Sequence, residues 1–376
     1  MRLPQASAVP QRLDQSGTVS SVVGVSESVA SASGTTPEQP AAARPRRLAV
    51  VYNPIKGDTT ALRAAVVAEL VAERTSAVKT GGAGWSDPLW LETTVDDAGQ
   101  GLTRHAVDEG VDLVIAAGGD GTVRAVAAGL RGSDIPLGIV PFGTGNLLAR
   151  NLGIPLADLR ASIRVALTGL DQPIDVGIAE LTRDGGAASA HAFLVMAGIG
   201  IDAAMIANTN PQLKKRVGWL AYVDGGLRSL KSRKFQIHYQ LPGHHRHSAH
   251  VNSILAGNCG LLPGNIELMP DASLDDGELD IALLQPRTLF GWLWIWRTVT
   301  WENRVLRRTA FGRKIIRLTG SEKVRTLSYL RGASINVEVS EGVEPVELDG
   351  DGFGDVTGAH FWADARALIV RVPRPE

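Results

Sequence analysis

Short apolar runs alternate with helical segments through the first half of the chain, and this alternation restricts the fold more than any other feature. The clearest run is 111–117, VDLVIAA, which Gly118 and Gly119 stop. Strands that alternate with helices form a parallel sheet covered by helices on both faces. We therefore predict an N-terminal α/β domain. Its predicted strands are 48–53, 89–95, 111–117 and 137–140, and its predicted helices are 59–74, 99–109, 122–130 and 145–151.

The pattern changes near residue 170, after which strand-like segments follow one another directly. They lie at 174–181, 191–197, 235–241, 251–257, 278–284, 334–339 and 345–348. Such a run predicts a mostly antiparallel β domain, interrupted by helices at 212–231 and 289–308. A last strand at 365–372 is predicted to return to the first domain. The resulting division is a tail at 1–44, an α/β domain at 45–168, a β domain at 169–355 and a C-terminal segment at 356–376.

Composition excludes several classes of protein. The formal net charge of -1 provides no overall basic surface for nucleic acid. Residues 1–44 are rich in Ser, Ala, Pro, Gln and Gly and have no helical or strand period, so we predict a disordered tail. No run approaches the roughly 20 apolar residues that span a bilayer, so any membrane contact is expected to be peripheral. The single cysteine, Cys259, excludes an internal disulfide and fits a reducing compartment.

The turn Gly118-Gly119-Asp120-Gly121-Thr122 lies between a predicted strand and a predicted helix. Glycines there let backbone N–H groups approach an anion, and a helix N-terminus adds partial positive charge. Asp120 would repel a phosphate unless a divalent cation bridged the two groups. The alternative interpretation is a tight turn in which Asp120 caps the helix.

Two further glycine-bearing turns are expected beside this one. NPIKG (53–57) follows the first strand, and PFGTGN (141–146) follows the fourth. Since parallel strands place their carboxyl ends at one edge of a sheet, the three turns should converge there. Each turn alone is an ordinary loop, but together they favour a nucleotide site. The chain contains neither a Walker A sequence nor a GxGxxG sequence, so this is not a P-loop or a Rossmann site.

The sequences NPIKG, GGDGT and PFGTGN, in this order and spacing, resemble the catalytic domain of the diacylglycerol kinase family. That family includes sphingosine kinases, ceramide kinases and bacterial lipid kinases. The resemblance covers about residues 47–372 and implies ATP as donor, Mg²⁺ as cofactor and a β-sandwich lipid domain. It implies that Asp120 ties the triphosphate to Mg²⁺. The residues it assigns to nucleotide binding are Asn53, Pro54, Ile55, Lys56, Gly57, Thr94, Gly118, Gly119, Asp120, Gly121, Thr122 and Thr144.

Residues 269–277, MPDASLDDG, resemble the family's segment for a structural Mg²⁺. The resemblance implies a carboxylate ligand from Asp276 and carbonyl ligands from Ser273 and Glu278. Without the resemblance, this stretch is a solvated acidic β-turn.

Residues 348–352, LDGDG, resemble the segment that supplies the catalytic base. Phosphoryl transfer to an alcohol needs a carboxylate near the attacking hydroxyl. Asp349 and Asp351 alternate on the chain, so an extended backbone would point both to one side. We expect Asp349 to be the more critical residue, with Asp351 orienting it.

The sequence departs from the family pattern in three places. Arg124 and Ala125 stand where bacterial members often have Asn-Glu. Leu147 stands where many have Asp, and Asp351 stands where Glu is frequent. The first two departures remove carboxylates near the nucleotide, and they put the ligation of the metal in doubt more than the fold.

The resemblance predicts an ATP-dependent lipid kinase that phosphorylates a primary hydroxyl of a diacylglycerol-like lipid to give a phosphatidic-acid-like product. Basic residues around 212–231 and four tryptophans between 292 and 301 suggest peripheral contact with an anionic membrane surface, although both segments could equally pack in a core. The protein would then be cytoplasmic, at the inner face of the membrane. The alternatives are a soluble NAD kinase-type enzyme and a non-catalytic lipid- or nucleotide-binding regulator. The oligomeric state is open, with a homodimer as one alternative.

Overall fold

The computed structural model describes residues 44–80, 82, 84–200, 234–262, 266–285 and 327–375. The predicted helices at 212–231 and 289–308 and nearly all of the predicted tail lie outside these residues. The predicted α/β fold class is confirmed, with a parallel-sheet lobe followed by an antiparallel lobe. No helix in the described part of the chain is long and apolar enough to cross a membrane.

The N-terminal lobe is a parallel sheet with helices on both faces. Its strands run in the order β2-β1-β3-β4, all parallel. The strands are β1 (Leu48–Tyr52), β2 (Leu89–Glu92), β3 (Leu113–Gly118) and β4 (Leu137–Pro141). The helices are α1 (Thr59–Thr80), α2 (Gln100–Asp108), α3 (Asp120–Leu130), α4 (Leu147–Asn151) and α5 (Leu159–Thr168).

The two faces of this sheet carry separate cores, because successive side chains of a strand point to opposite faces. Val50 of β1 packs in the core that contains residues of α1 and α5. Val51 packs in the core that contains residues of α2 and α3. Both valines are fully buried, which explains why these strands are continuous apolar runs rather than alternating ones.

Helix α5 is the element of this lobe that the sequence analysis missed. Its local signals are present: the carboxylate of Asp158 accepts the N–H of Ala161, which caps the first turn. Ile163, Ala166 and Leu167 are buried at helical spacing. They pack on the face of the sheet that α1 also covers.

The second lobe is a β-sandwich. One sheet has the order β14-β13-β10-β7-β16-β17, and the other contains β6, β5, β18, β15, β8 and β9. Their inner faces share one core, in which Phe361 and Val337 of one sheet meet Ile254 and Ile281 of the other. The strands are β5 (Leu170–Thr182), β6 (Ala188–Phe193), β7 (Met196–Ile199), β8 (Phe235–Gln240), β9 (His247–Val251), β10 (Ser253–Gly257), β11 (Leu261–Leu262), β12 (Ile266–Glu267), β13 (Leu279–Leu284), β14 (Leu327–Gly332), β15 (Ser334–Val339), β16 (Glu344–Leu348), β17 (Asp351–Val356) and β18 (Gly358–Val372).

Two runs that were predicted as single strands are each two strands. The run 191–197 is broken at Leu194 and Val195 between β6 and β7, and the run 251–257 is broken at Asn252 between β9 and β10. In both, the chain leaves one sheet and enters the other. The prediction of one strand is wrong there because a change of sheet requires a corner, while the apolar pattern continues through it.

Strand β18 joins the two lobes. Its first part pairs with β15 of the sandwich, and Val370 pairs with Leu137 of β4 in parallel. Strand β5 pairs with β18 along both parts, with an irregularity between Asp364 and Leu368. The sandwich sheet and the N-terminal sheet are therefore one continuous sheet of ten strands.

Asp175 of β5 secures this irregularity and is fully buried. Its carboxylate accepts the N–H of Arg366, at 2.7 Å, and the N–H of Gly277, at 2.6 Å. Arg366 has a positive φ of 53°. Asp175 thus connects the irregular part of β18 with the acidic loop before β13.

We expect Asp175→Ala to lower the free energy of unfolding by roughly 3 kcal/mol, because two buried N–H groups lose their acceptor. The matched control is Asp171→Ala on the same strand, whose ion pair with Arg371 is half exposed. It should cost less than about 1 kcal/mol. Urea denaturation measures both variants, and equal losses would contradict the role given to Asp175.

Candidate active site

Three turns meet at the carboxyl edge of the parallel sheet, and glycines set how closely they approach. A Cβ on Gly57 would lie 2.6 Å from the ring of Phe142, so the first and third turns are in direct contact. A Cβ on Gly143 would lie 2.8 Å from the Cα of Gly119. The backbones of the second and third turns therefore touch, and a larger residue at Gly57 or Gly143 would separate the turns.

Asp120 joins two of these turns through its carboxylate. It accepts the N–H of Leu147 at 2.6 Å and the N–H of Asn146 at 3.0 Å. Asn146 has a left-handed φ of 47°, and its side chain accepts the N–H of Gly143. Burial raises the pKa of Asp120, the two N–H donors oppose this, and the negative charge of Asp351 adds to the rise.

A segment of the sandwich lobe reaches the same edge. The turn between β16 and β17 brings Asp351 close to the Gly118–Thr122 turn. A Cβ on Gly121 would lie 3.0 Å from Oδ2 of Asp351. Two segments that are distant in sequence, GGDGT and LDGDG, are thus neighbours in space.

Asp349 is buried beneath this turn, with 8% of its surface exposed. Its carboxylate accepts three backbone N–H groups, those of Leu194, Val195 and Met196, at 2.9, 2.8 and 3.0 Å. These donors are available because the chain crosses here from β6 to β7. Burial raises the pKa of Asp349, while Arg124 and the three N–H groups oppose the rise.

Asp351 has a different environment, because 55% of its side chain is exposed. Its Oδ2 accepts a hydrogen bond from Arg124 Nη2 at 2.7 Å. Both oxygens of Asp349 are already bound by N–H groups of the fold, whereas Asp351 Oδ1 accepts no hydrogen bond in the described part of the chain. The geometry therefore favours Asp351 over Asp349 as the carboxylate that meets a ligand, the reverse of the order expected from the sequence.

The remaining residues assigned to the nucleotide lie along the same edge. The side chain of Asn53 accepts the N–H of Ile55 at 3.0 Å and so shapes the first turn. The hydroxyl of Thr94 accepts the N–H of Asp97 at 3.1 Å. Lys56 and Thr144 are exposed, and Thr122 is buried in the first turn of α3. These placements are compatible with the assignment to nucleotide binding, which stays a prediction.

Three residues that shape the site were not identified from the sequence. Asp97 accepts the N–H groups of Gly99 and Leu102 at the start of α2. An acidic residue just before a helix is a local sequence signal for such a contact. Asn146 was included in a motif without a role. The contact of Arg124 with Asp351 joins two lobes, and no local signal could have revealed it.

The chain is similar to known proteins over most of its length. Residues 47–179 match the family described as diacylglycerol kinase catalytic domain. A protein named "Probable lipid kinase YegS-like" from Pseudomonas fluorescens is 38% identical over 218 residues, which cover 56% of this chain and 68% of that protein. A protein named "Diacylglycerol kinase" from Bacillus subtilis is 28% identical over 334 residues, which cover 88% of this chain and 97% of the relative.

The chain belongs to the diacylglycerol kinase family of lipid kinases.

The crystal structure of a diacylglycerol kinase from Bacillus anthracis str. Sterne has the same fold, with a TM-score of 0.56 and 20% identity. The match covers 87% of this chain and 97% of that one. The predicted combination of an α/β nucleotide domain with a β-sandwich is thereby confirmed.

The active-site residues of this lipid kinase fit a magnesium–nucleotide complex. The negative charge of Asp351 acts on Asp120, and Arg124 pairs with Asp351. Mg²⁺ is usually bound by one or two carboxylates together with phosphate oxygens and water. Asp120 provides such a carboxylate beside a turn suited to phosphate, and Asp351 lies next to the same turn.

The predicted structural Mg²⁺ segment is arranged differently. Arg331 of β14 donates to the carboxylate of Asp276, lies 2.9 Å from Glu278 and 3.8 Å from Asp280. The other oxygen of Asp276 accepts the N–H of Glu278, and the hydroxyl of Ser273 donates to Asp275. Burial raises the pKa of Asp280 to about 6, although Arg331 opposes the rise.

This arrangement does not fit a cation at Asp276, because the Arg331 guanidinium lies on the carboxylate that a cation would need. Within the described residues, no group of three or more His, Cys, Asp or Glu side chains could hold a metal ion. The Mg²⁺ ligands Ser273, Asp276 and Glu278 stay a prediction, which a melting experiment can test.

We expect the melting temperature of the nucleotide-free protein to be the same in EDTA and in excess MgCl₂. Arg331→Gln should lower it by about 2–5 °C in EDTA, since the clustered carboxylates would then repel one another. Excess Mg²⁺ should restore part of that loss. The control is Arg246→Gln, which removes an exposed pair with Glu338 in the same lobe and should not create a response to Mg²⁺. A wild-type protein that EDTA destabilises would show instead that the cation binds.

Proposed function

We propose that this lipid kinase transfers the γ-phosphoryl group of ATP to a primary hydroxyl of a diacylglycerol-like lipid and forms a phosphatidic-acid-like product. The observation that carries the proposal is the position of Asp351, whose carboxylate lies against the Gly118–Thr122 turn. A phosphoryl acceptor must meet the donor phosphate and a carboxylate at one point. This is where the two lobes meet.

The donor side of the site is supplied by the parallel sheet. Gly119 is the N-cap of α3, so the first N–H groups of the helix and its partial positive charge face the space above the turn. The contacts of Gly57 and Gly143 bring the neighbouring turns to the same space. ATP phosphates would bind there, with the turns at Asn53 and Thr94 along the same edge.

Asp120 would hold Mg²⁺ together with the phosphate oxygens, since a carboxylate has about four lone-pair sites and its N–H donors from Asn146 and Leu147 occupy two of them. When bound, the ion neutralises charge on the transferred phosphoryl group. Asp120 has a second task in this chain, because its carboxylate fixes the turn at Asn146 and Leu147.

On the acceptor side, Asp351 accepts the proton of the lipid hydroxyl. The lipid oxygen forms a bond to the γ-phosphorus, the bond from that phosphorus to the bridging oxygen breaks, and ADP leaves. Asp349 stays bound to its three N–H donors and keeps the turn in the left-handed conformation that presents Asp351.

The lipid as acceptor rests on the names of the relatives, which are a lipid kinase and a diacylglycerol kinase. The alternative of a non-catalytic regulator rests on the carboxylates missing at Ala125 and Leu147. Asp120 and Asp351 still provide two carboxylates at the nucleotide turn, which favours catalysis. Docking on an anionic membrane rests on the basic and tryptophan-rich segments, which lie outside the described residues.

The test is incubation of the protein with labelled ATP, Mg²⁺ and a total lipid extract, followed by identification of the labelled product. We expect label in a phosphatidic-acid-like lipid. Label in NADP⁺ when NAD⁺ is supplied would support the NAD kinase-type alternative. ATP binding without any labelled product would support a regulator.

We expect Asp351→Asn to lower kcat by at least about a hundredfold, the scale of losing a general base, with the KM for ATP nearly unchanged. Asp349→Asn should lower the melting temperature as well as kcat, because an amide cannot accept all three N–H groups equally well. Activity and thermal melting are measured on both variants. An Asp349→Asn variant that melts normally but has lost more kcat than Asp351→Asn would restore the order expected from the sequence.

A further inference from the structure

We propose that Arg124 is a positioning residue of this kinase, which holds the turn carrying Asp349 and Asp351 against the nucleotide-binding helix α3. The inference rests on the proposed function. It concerns position 124, where an arginine replaces the asparagine that is frequent in bacterial members of the family.

The side chain of Arg124 is fixed at three points. Its Nη1 donates to the carbonyl of Leu348, and its Nη2 donates to Oδ2 of Asp351 at 2.7 Å. Its guanidinium carbon lies 4.9 Å from the centre of the Phe353 ring. Only 13% of the side chain is exposed. A guanidinium with two bonded ends and a covered face has little freedom to move.

The turn that Arg124 holds needs such support. Asp349 and Gly350 both have positive φ, of 51° and 86°, and left-handed backbone is costly for a residue other than glycine. The N–H groups of Leu194, Val195 and Met196 secure Asp349 from the sandwich side. Arg124 binds Leu348 and Asp351, which lie on either side of Asp349 in the chain. It therefore secures the turn from the nucleotide side.

Arg124 also selects which oxygen of Asp351 can react. Oδ2 is bound to Arg124 and lies over Gly121, so Oδ1 is the oxygen left to accept the proton of a lipid hydroxyl. A lysine could replace the charge but could not make both bonds and cover the Phe353 ring with one planar group.

The position of Arg124 on α3 links the acceptor carboxylate to the donor. Helix α3 begins at Asp120, immediately after its N-cap Gly119, so Arg124 lies one turn from the phosphate-binding N-terminus. A helix turn is rigid, which fixes the distance between the bound phosphates and Asp351. Removing Arg124 should therefore lower kcat more than it weakens ATP binding, since small misplacements at a reacting centre cost up to about a hundredfold in rate.

The experiment compares Arg124→Gln and Arg124→Lys with the control Arg183→Gln. Arg183 donates to the carbonyl of Phe353 at 2.9 Å and to Ser189 at 2.6 Å. It thus makes two hydrogen bonds, as Arg124 does, and one of them holds β17 without touching Asp351. All three variants are assayed with ATP and diacylglycerol in mixed micelles, and their melting temperatures are recorded.

We expect Arg124→Gln to lower kcat at least about tenfold with the KM for ATP within about twofold of wild type. Arg124→Lys should recover only part of the loss, and Arg183→Gln should keep kcat within about twofold. In the Asp351→Asn background, Arg124→Gln should add less than about a twofold loss, because residues that act as a unit are not additive.

A kcat for Arg124→Gln equal to that of Arg183→Gln would overturn the inference, and so would losses that multiply in the double variant. If Arg124→Gln melts well below Arg183→Gln, the comparison uses Arg124→Lys instead. A kcat of Arg124→Lys equal to that of Arg183→Gln would then overturn the inference. Failure of the proposed function is a separate result, because it requires that the wild-type protein itself forms no labelled lipid.

Discussion

The pairing of β18 with both lobes is the constraint on which the rest of the structure depends. One strand continues from the sandwich into the parallel sheet, where Val370 meets Leu137, and β5 accompanies it along both parts. Backbone hydrogen bonds of a single sheet therefore set the orientation of the two lobes. This orientation brings the β16–β17 turn to the carboxyl edge of the parallel strands, and the site exists only because these two edges meet.

Where the two lobes meet, carboxylates collect negative charge, and nearby hydrogen-bond donors compensate for it. Asp349 is buried and Asp120 is half-buried, and each carboxylate accepts backbone N–H donors that compensate for lost water. Asp351 remains half exposed and is bound by Arg124. The less exposed carboxylates bind backbone N–H groups of turns, whereas the exposed one binds a side chain of the other lobe.

The same logic explains why the acidic loop of the sandwich differs from the active site. Around Asp276, Glu278 and Asp280, the compensating charge comes from Arg331 on a neighbouring strand. At the candidate active site, the guanidinium of Arg124 binds a carboxylate of the β16–β17 turn. The two places differ in position, because the second lies beside the glycine-bearing turns of the parallel sheet.

The sequence by itself determined the parallel-sheet lobe, the convergence of its three turns and the family, because strand order, helical periods and glycine turns are local signals that parallel topology brings to one edge. The sequence also contains the N-cap of α5, Asp158, although α5 was not predicted. Only the tertiary structure decided the corners at Leu194 and Asn252, the different environments of Asp349 and Asp351, and the contact of Arg124. Each of these depends on which backbone donors or side chains another lobe brings near, and the spacing of residues along one chain does not contain that information.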